Sequence, residues 1–393
     1  MTSQTLGKKD LRRVVMRTLH KQGYRVRKGV LELKDEGRQS KRDAHLLAKA
    51  ERILAQEKFV LKHIPFITSH LPNGNEIEVA KISPKLIEIQ SGTKWDVMFR
   101  WWSLVWWSLP NERAYGRQMR FIVWDSYHKA PIGLIGLQSP ILNWAVRDRH
   151  LGIDAKDRDY WVNQSLSAQR LGALPPYNSI LGGKLVAAIM TSDAVRKAFE
   201  RKYKGVRTVM QRRKIPARLL FITTTGAYGK SSVYARLKHK GESIVEFIGF
   251  SSGIGSFHIP NLLYENLLRY LDSKHVDTER GFGSGPSRKV RLIDQAMESL
   301  GFKKGSKHSI QRGVYLFSLT KNLREIIDKD KRPKWVKRPV SDLAQSWKER
   351  WAIPRSERDQ SYQSFVAEDF IRQAKEELEG FKKTFSTIVY GRK

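Results

Sequence analysis

Apolar residues recur with the helical period at both ends of the chain and with the strand period in its middle. The N-terminal stretch predicts a helix over residues 10–23 and a small hairpin over residues 24–33. One long basic helix is predicted over residues 40–66. Residues 71–93 show no regular pattern and are predicted to be a loop, and a tryptophan-rich helix over residues 93–109 follows.

The middle of the chain alternates between strand and helix patterns. Strands are predicted over residues 117–125, 132–137, 218–225 and 243–250. Helices are predicted over residues 178–189, 192–203, 231–238, 260–271 and 290–300. Residues 138–175 are mostly polar and irregular, and the residues after 320 predict charged helices.

These patterns predict an α+β fold in which helices surround a mixed β-sheet. The chain then divides into four segments. They are a basic helical N-terminal module (1–70), a linker with the tryptophan-rich helix (71–115), the sheet core (116–320) and a charged helical C-terminal extension (321–393).

The charge of the chain points to a polyanionic partner. There are 73 Lys or Arg against 39 Asp or Glu, a formal charge of +34, and residues 8–62 alone hold 17 against 7. So much positive charge repels itself in a folded protein and is tolerated when a polyanion binds it, with nucleic acid favoured over an anionic membrane. The chain has no cysteine, which excludes disulfides and thiolate metal sites.

The longest apolar stretch, residues 101–109, is far shorter than a membrane-spanning helix. The N-terminus lacks the apolar core of a signal peptide. We therefore expect a cytoplasmic protein with no membrane partner.

The first candidate phosphate site is a predicted helix start that holds Gly182, Gly183 and Lys184. Free N–H groups at a helix N-terminus attract phosphate, glycines let it approach the backbone, and a lysine adds charge. The alternative is that the two glycines allow close packing of the helix on the sheet.

The second candidate follows a predicted strand and consists of Gly229, Lys230, Ser231 and Ser232. Only two residues separate Gly226 from Gly229, so the loop is too short for a Walker A motif, and an NTPase is rejected. A single phosphate of a nucleic acid needs fewer contacts than a nucleoside triphosphate. The backbone amides, the lysine and the serine hydroxyls of this loop would bind it. The alternative is an ordinary connection with Ser231 as a helix N-cap.

The third candidate is a glycine-rich basic segment that holds Arg280, Phe282, Arg288 and Lys289. The phenylalanine would stack on a base while the three cations contact phosphates. The alternative is a surface loop without a ligand.

Catalytic groups are sparse. His258 would serve as a base near neutral pH, but a structural histidine is the favoured interpretation. Asp125, Asp148 and Asp154 are the carboxylates that a two-metal nuclease would use, with capping and salt bridging as the stronger alternative. No metal site is predicted.

A series of motifs in fixed order resembles one family, DruA of the Druantia anti-phage defence systems. The motifs are Gly-Arg-Gln-Met-Arg-Phe-Ile-Val-Trp-Asp (116–125), Gly-Leu-Ile-Gly-Leu (133–137), Arg-Asp (147–148), Gly-Ala-Leu-Pro-Pro-Tyr-Asn-Ser-Ile-Leu-Gly-Gly-Lys-Leu-Val-Ala (172–187), Thr-Thr-Thr-Gly-Ala-Tyr-Gly-Lys-Ser-Ser-Val-Tyr (223–234), Gly-Ile-Gly-Ser-Phe-His-Ile (253–259), Gly-Ser-Gly-Pro (283–286) and Glu-Arg-Trp-Ala-Ile-Pro-Arg (349–355). The resemblance covers nearly the whole chain.

The resemblance implies a core similar to a diverged GNAT (acetyltransferase-like) fold and work on DNA beside other defence proteins, including a helicase-like one. It implies no reaction, so catalytic residues and cofactors stay unknown. The GNAT comparison places a phosphate-binding helix start at residues 178–184, although the glycine spacing differs from that superfamily's. We expect a nucleic-acid-binding component of the defence system. The alternatives are a GNAT-like acyltransferase that uses acyl-CoA and a DNA-processing enzyme such as a nuclease.

Overall fold

The computed structural model describes residues 6–109, 115–208, 212–279 and 287–390. The strands are β1 (Tyr24–Arg27), β2 (Val30–Leu33), β3 (Pro84–Glu88), β4 (Gln118–Asp125), β5 (Ala130–Gln138), β6 (Ser165–Ala173), β7 (Phe221–Thr225), β8 (Lys238–His239), β9 (Glu242–Ser243), β10 (Glu246–Phe250) and β11 (Gly313–Ser318).

Helices precede, interrupt and follow these strands. They are α1 (Lys8–Lys21), α2 (Arg38–Leu54), α3 (Glu57–Lys62), α4 (Ile64–Thr68), α5 (Lys94–Val105), α6 (Ala145–Leu151), α7 (Arg158–Val162), α8 (Gly182–Ile189), α9 (Asp193–Tyr203), α10 (Asn261–Asp272), α11 (Arg288–Ser299), α12 (Leu323–Lys329), α13 (Val340–Trp347), α14 (Ile353–Arg358) and α15 (Ala367–Tyr390). Among the described helices, none has both the length and the apolar character needed to cross a bilayer.

A seven-stranded mixed sheet forms the centre of the fold, in the order β10-β11-β7-β6-β5-β4-β3. β6 and β7 run parallel, and the other neighbouring pairs are antiparallel. Every residue of β5 is buried, because helices cover the sheet on both faces. The predicted α+β class with a mixed sheet is therefore confirmed.

Alternating side chains of the strands supply two separate cores. Phe121 and Val123 of β4 pack with apolar residues of α8, α9 and α13 on one face of the sheet. Ile122, between them, packs on the opposite face with Trp101 and Trp102 of α5 and with residues of α2–α4 and α15. α6, α7 and α12 cover the β7 and β11 end of that second face.

A third core joins the N-terminus to the insertion between β10 and β11. Leu11 and Leu19 of α1 and Tyr24 of β1 pack with Leu267 of α10 and Ile293 of α11. We call the described residues 6–34, 251–279 and 287–312 the basic helical unit. The start of α2 joins this core through Ala44, while the rest of the predicted N-terminal module, from Ala50 to α4, packs against α5 and α15.

The predicted long basic helix over residues 40–66 is wrong. α2 ends at Leu54, and two short helices follow it. Pro65 lies at the start of α4, where its missing N–H costs no helical hydrogen bond, so the chain begins a new helix there. The tryptophan-rich helix also ends early, at Val105.

Two segments predicted to be irregular hold strands of the sheet. Residues 71–93 contain the edge strand β3, and residues 138–175 contain α6, α7 and the central strand β6. The strand β11 lies in a stretch for which no element was predicted.

The predicted helix over residues 231–238 is also wrong, because that segment forms turns. Tertiary contacts replace the helical hydrogen bonds there. The backbone carbonyls of Ser232, Val233 and Ala235 accept hydrogen bonds from Lys184 Nζ at 3.0, 3.0 and 2.7 Å. The backbone N–H of Ser231 donates to the hydroxyl of Tyr315 at 2.7 Å.

Candidate nucleic-acid interface

The N-terminus of α8 is the predicted phosphate site, and the protein's own chain occupies it. A Cβ on Gly182 would lie 2.6 Å from the carbonyl oxygen of Tyr177, and one on Gly183 would lie 3.4 Å from a methyl group of Val233. Gly182 therefore allows close packing, whereas a Cβ at position 183 would make only ordinary van der Waals contact.

Lys184 is buried and donates its three hydrogen bonds to the carbonyls of the 232–235 turn. Its ammonium also lies 4.4 Å from the centre of the Trp351 ring. Burial, together with the nearby cations Arg236 and Arg350, lowers the pKa of Lys184 to about 8. All three N–H donors of the ammonium are used inside the protein.

The second predicted site thus touches the first, since the turn that Lys184 holds begins at Ser232. Its backbone groups are engaged as well. Gly229 accepts a hydrogen bond from the Gly313 N–H at 3.0 Å, and the Ser231 N–H is bound to Tyr315. The side chain of Lys230 is different, because it is exposed and its ammonium lies 4.9 Å from the centre of the Phe247 ring.

Phe247 belongs to an aromatic pair that sequence reasoning missed. Phe247 and Phe250 are 40% and 44% exposed on the edge strand β10, with ring centres 5.2 Å apart in a T-shaped arrangement. Large apolar side chains of an edge strand are ordinarily covered or replaced by charges. We call Phe247, Phe250 and Lys230 the aromatic edge. The sequence feature that could have revealed the aromatic edge is the pair of phenylalanines three residues apart in a predicted strand.

The basic helical unit adjoins the aromatic edge directly. The unit's insertion starts at Ser251, the residue after Phe250, and ends at Arg312. Two hydrogen bonds close this junction. The Ser251 N–H donates to the Arg312 carbonyl at 2.9 Å, and the Arg312 N–H donates to Ser251 Oγ at 3.0 Å.

Positive charge is concentrated in this unit, whose residues include 19 Lys or Arg against 8 Asp or Glu. Most of the cations are exposed on α1, the β1–β2 hairpin, α11 and the loop after α11. They include Lys8, Lys9, Arg13, Arg17, Lys21, Arg27, Lys28, Arg288, Lys303, Lys304 and Lys307. The loop and the hairpin are held together, because the Lys303 N–H donates to the Gly29 carbonyl at 2.6 Å.

The third predicted site lies partly in this unit. Arg288 is exposed in the first turn of α11, and Lys289 follows it, with its ammonium 5.1 Å from the centre of the Tyr264 ring. Arg280 and Phe282 lie outside the described residues. The described residues of this site, Arg288 and Lys289, lie on α11, which packs in a different core from the turn that Lys184 holds.

Two of the three candidate carboxylates are engaged in structural contacts. Asp125 is buried and accepts hydrogen bonds from His128 Nδ1 at 2.6 Å and from the Tyr177 hydroxyl at 3.0 Å. Asp148 pairs with two arginines, and Asp154 is exposed. Within the described ranges, no three His, Asp or Glu side chains lie close enough together to hold a metal ion.

His258 belongs to a buried group of three histidines in the basic helical unit and α2. Its Nε2–H donates to the Gly305 carbonyl at 2.7 Å, and its ring centre lies 5.8 Å from that of His308. His45 of α2 stacks on Phe257 with ring centres 4.1 Å apart. Burial lowers the pKa of all three, to about 4 for His258, about 2 for His308 and about 3 for His45. The three imidazoles are neutral and pack the core.

Comparisons with known proteins agree with the motif pattern. The family model described as Druantia protein DruA matches residues 35–329. A protein with that same name from Escherichia coli (strain UMEA 4076-1) is 36% identical over 372 residues, which cover 93% of this chain and 92% of the relative. No solved structure matches the chain. The resemblance stated from the motifs is confirmed.

Proposed function

The chain belongs to the DruA family, and from this premise we propose that it is a component of a Druantia anti-phage defence system and that its part in the system is to bind nucleic acid. One observation supports the second half of the proposal. The exposed aromatic pair of β10 adjoins the basic helical unit, which carries a net charge of +11, at the Ser251–Arg312 junction.

The two surfaces supply complementary interactions. Exposed lysines and arginines of the basic helical unit bind phosphates and release counterions, which gives affinity without sequence preference. Phe247 and Phe250 offer ring faces on which bases of a single strand stack, while Lys230 contacts the backbone beside them. Arg288 and Lys289 extend the phosphate-binding surface along α11. DNA is the favoured polymer, as the family resemblance implies.

The remaining parts of the proposal rest on family membership. Other proteins of the defence system are its partners, with a helicase-like one among them, and it acts in the cytoplasm. A helicase exposes single strands, and an aromatic edge is suited to bind them.

The acyltransferase alternative has less support. The mixed sheet with its parallel β6–β7 pair, followed by α8, is compatible with a GNAT-like core. At the helix start where that comparison puts a phosphate, however, Lys184 donates to the 232–235 turn and Val233 packs on Gly183. A CoA pyrophosphate would have to displace these contacts.

The test is binding of the purified full chain to fluorescent single-stranded and duplex DNA, measured by anisotropy over a series of salt concentrations. We expect the logarithm of the binding constant to fall linearly with that of salt, by about 0.9 per phosphate contact on duplex DNA. A salt-independent constant, or no binding at low salt, would contradict the proposal.

Truncating the two phenylalanines of the aromatic edge separates the contribution of base stacking to DNA binding from that of charge. Phe247→Ala and Phe250→Ala are each expected to weaken binding of single-stranded DNA by about 5- to 150-fold, because stacking on one base is worth about 1–3 kcal/mol. Duplex binding and the salt slope should change little. Leu61→Ala, which truncates an apolar side chain of similar exposure on α3, is the control and should leave both unchanged.

Neutralising two basic side chains of α1 tests whether the charge of the basic helical unit contributes to DNA binding. Arg17→Gln with Lys21→Gln should weaken binding of both DNA forms and reduce the salt slope by about 1 for each phosphate that is no longer bound. The control is Arg324→Gln with Lys329→Gln, which removes the same charge from the exposed face of α12. Equal losses in both double variants would show that overall charge, and not the basic helical unit, binds DNA.

A further inference from the structure

An open cavity of about 480 Å³ lies on the α5 side of the sheet, apart from the aromatic edge. The C-terminal half of α2, the middle of α5, strands β4–β6 and the start of α10 form its walls. Its volume is in the range of small-molecule binding sites.

Four arginines line this cavity and make it strongly cationic. They are Arg52, Arg100, Arg120 and Arg170. Arg120 pairs with Asp96, and Arg100 donates to Gln56 and stacks 4.0 Å from the centre of the Phe59 ring. The nearest acid in the wall is Glu51, which accepts a hydrogen bond from the Asn261 N–H at 2.8 Å.

The sheet is distorted where it faces the cavity. Gly136 pairs with Arg170, and the next residue, Leu137, pairs with Ala168, so that Gln169 is an extra residue in β6. Such a β-bulge re-aims the side chains around it and is frequent beside binding sites. A Cβ at position 136 would lie 2.9 Å from Arg170 Cβ and 3.0 Å from Phe99 Cζ. The glycine therefore leaves room for both side chains at the cavity.

Two buried polar atoms in the wall have no hydrogen-bond partner among the described residues. They are Gln138 Oε1, in a side chain that is 3% exposed, and Arg170 Nε. Burial, together with the nearby charge of Arg52, lowers the pKa of the Arg170 guanidinium to about 9. The guanidinium stays charged at neutral pH, and a buried N–H donor of a cation that has no acceptor is costly.

We infer that this cavity is a binding site for a mononucleotide. The phosphate would accept hydrogen bonds from the planar forks of Arg170 and Arg52, which suit a phosphate's oxygens. The base would lie on the apolar wall of Phe99 and Leu104, and Gln138 Oε1 would accept a hydrogen bond from its edge. This site is distinct from the polymer-binding surface proposed above but adjoins it, because Lys289 Nζ donates to Asn261 Oδ1 in the cavity wall at 3.4 Å.

The test is isothermal titration calorimetry of the full chain with AMP and GMP, and with inorganic phosphate and adenosine as partial ligands. We expect one site per chain for at least one mononucleotide, with both partial ligands bound at least about tenfold more weakly. Inorganic phosphate that binds as tightly as the mononucleotides would overturn the inference.

Two variants link binding to the cavity. Arg170→Met and Gln138→Met should each weaken mononucleotide binding about tenfold or more, because each removes a charge-assisted or a buried hydrogen bond. Both should melt at the same temperature as the wild type or above it, since they remove an uncompensated buried group. Arg324→Met, an exposed arginine on α12, is the control.

The other outcomes each overturn the inference. Equal binding to the wild type and the cavity variants would mean non-specific attraction of an anion to a basic protein. A lower melting temperature in both variants would show that the two groups only stabilise the fold. A loss of DNA binding in Arg170→Met as large as in the α1 double variant would make the cavity part of the polymer path.

Discussion

The three buried histidines predict that the protein loses stability between pH 7 and pH 5. Hydrogen bonds fix two of these imidazoles, His45 and His308, as neutral. His45 Nδ1–H donates to the Lys41 carbonyl, so its Nε2 accepts from the Arg312 guanidinium at 2.6 Å. His308 Nδ1 accepts from the Ile310 N–H at 3.2 Å. Protonation of either acceptor nitrogen would break its hydrogen bond and, at His45, put two cations in contact.

Proton linkage determines that acid lowers the stability of the folded protein. Burial holds the pKa of His45, His258 and His308 at about 3, 4 and 2 in the folded protein, whereas an unfolded histidine has a pKa of about 6.5. Below pH 6.5 the unfolded chain therefore binds more protons than the folded one. Stability is fully present above pH 6.5 and is lost as the pH falls towards the folded pKa values.

The expected loss of unfolding free energy is large relative to the stability of an ordinary protein. From pH 7 to pH 5, each histidine that stays neutral in the folded state lowers the free energy of unfolding by about 2 kcal/mol. Three independent histidines would lower it by about 6 kcal/mol, against a usual total of about 5–15 kcal/mol. Unperturbed Asp and Glu side chains have pKa values below this window, and burial raises the pKa of Glu51 towards it.

Urea unfolding followed by tryptophan fluorescence at pH 7, 6 and 5 measures this effect. His308→Asn places an amide oxygen where Nδ1 accepts, so it should reduce the loss between pH 7 and 5 by about 2 kcal/mol. His20→Gln, an exposed histidine at the end of α1, is the control and should leave the loss unchanged. A wild type whose stability is constant over this range, or His308→Asn with the same loss as the wild type, would refute the reasoning.

The remaining predictions concern the start of α8. Gly182→Ala should lower the free energy of unfolding by about 1–3 kcal/mol, because the new Cβ would meet the Tyr177 carbonyl. Gly183→Ala should be neutral or stabilising, because a Cβ fits there. Urea unfolding measures both effects. Lys184→Met should cost ~1–3 kcal/mol for each carbonyl that stays buried without a donor, and an unchanged midpoint would contradict this. Calorimetry with acetyl-CoA should give no specific binding, and micromolar binding that Gly183→Asp abolishes would restore the acyltransferase alternative.

The predicted and observed strands differ for physical reasons. β4, β5, β7 and β10 were predicted because each is a run of apolar or alternating residues. β3 begins at a proline and is a short edge strand, so it has little signal of its own. β6 contains Gln169 and Arg170 at its bulge, and these polar residues conceal a central strand. The apolar run of β11 carried a signal that the prediction overlooked.

The positions of the candidate binding sites were harder to predict from the sequence than the strands were. The aromatic edge depends on β10 lying at the end of the sheet, and strand order is not visible in a local pattern. The cavity combines Arg52, Arg100 and Arg170 from three distant elements, and only the tertiary fold brings them together. The glycines of α8 were recognised from their place at a predicted helix start, but their surroundings depend on the fold, which places Tyr177 beside Gly182 and Val233 beside Gly183.

The discontinuity of the basic helical unit has a consequence during protein synthesis. Arg12 donates to the Leu300 carbonyl, 288 residues further along the chain, and Gln22 donates to the His258 carbonyl, 236 residues further along. At roughly 5–20 residues per second, the ribosome needs about 10 to 60 s to supply these partners after α1 has emerged. Throughout that interval Leu11 and Leu19 have no core to enter, on a helix that is also basic. The nascent chain thus presents an amphipathic cationic segment to nearby RNA and chaperones before its own fold covers it.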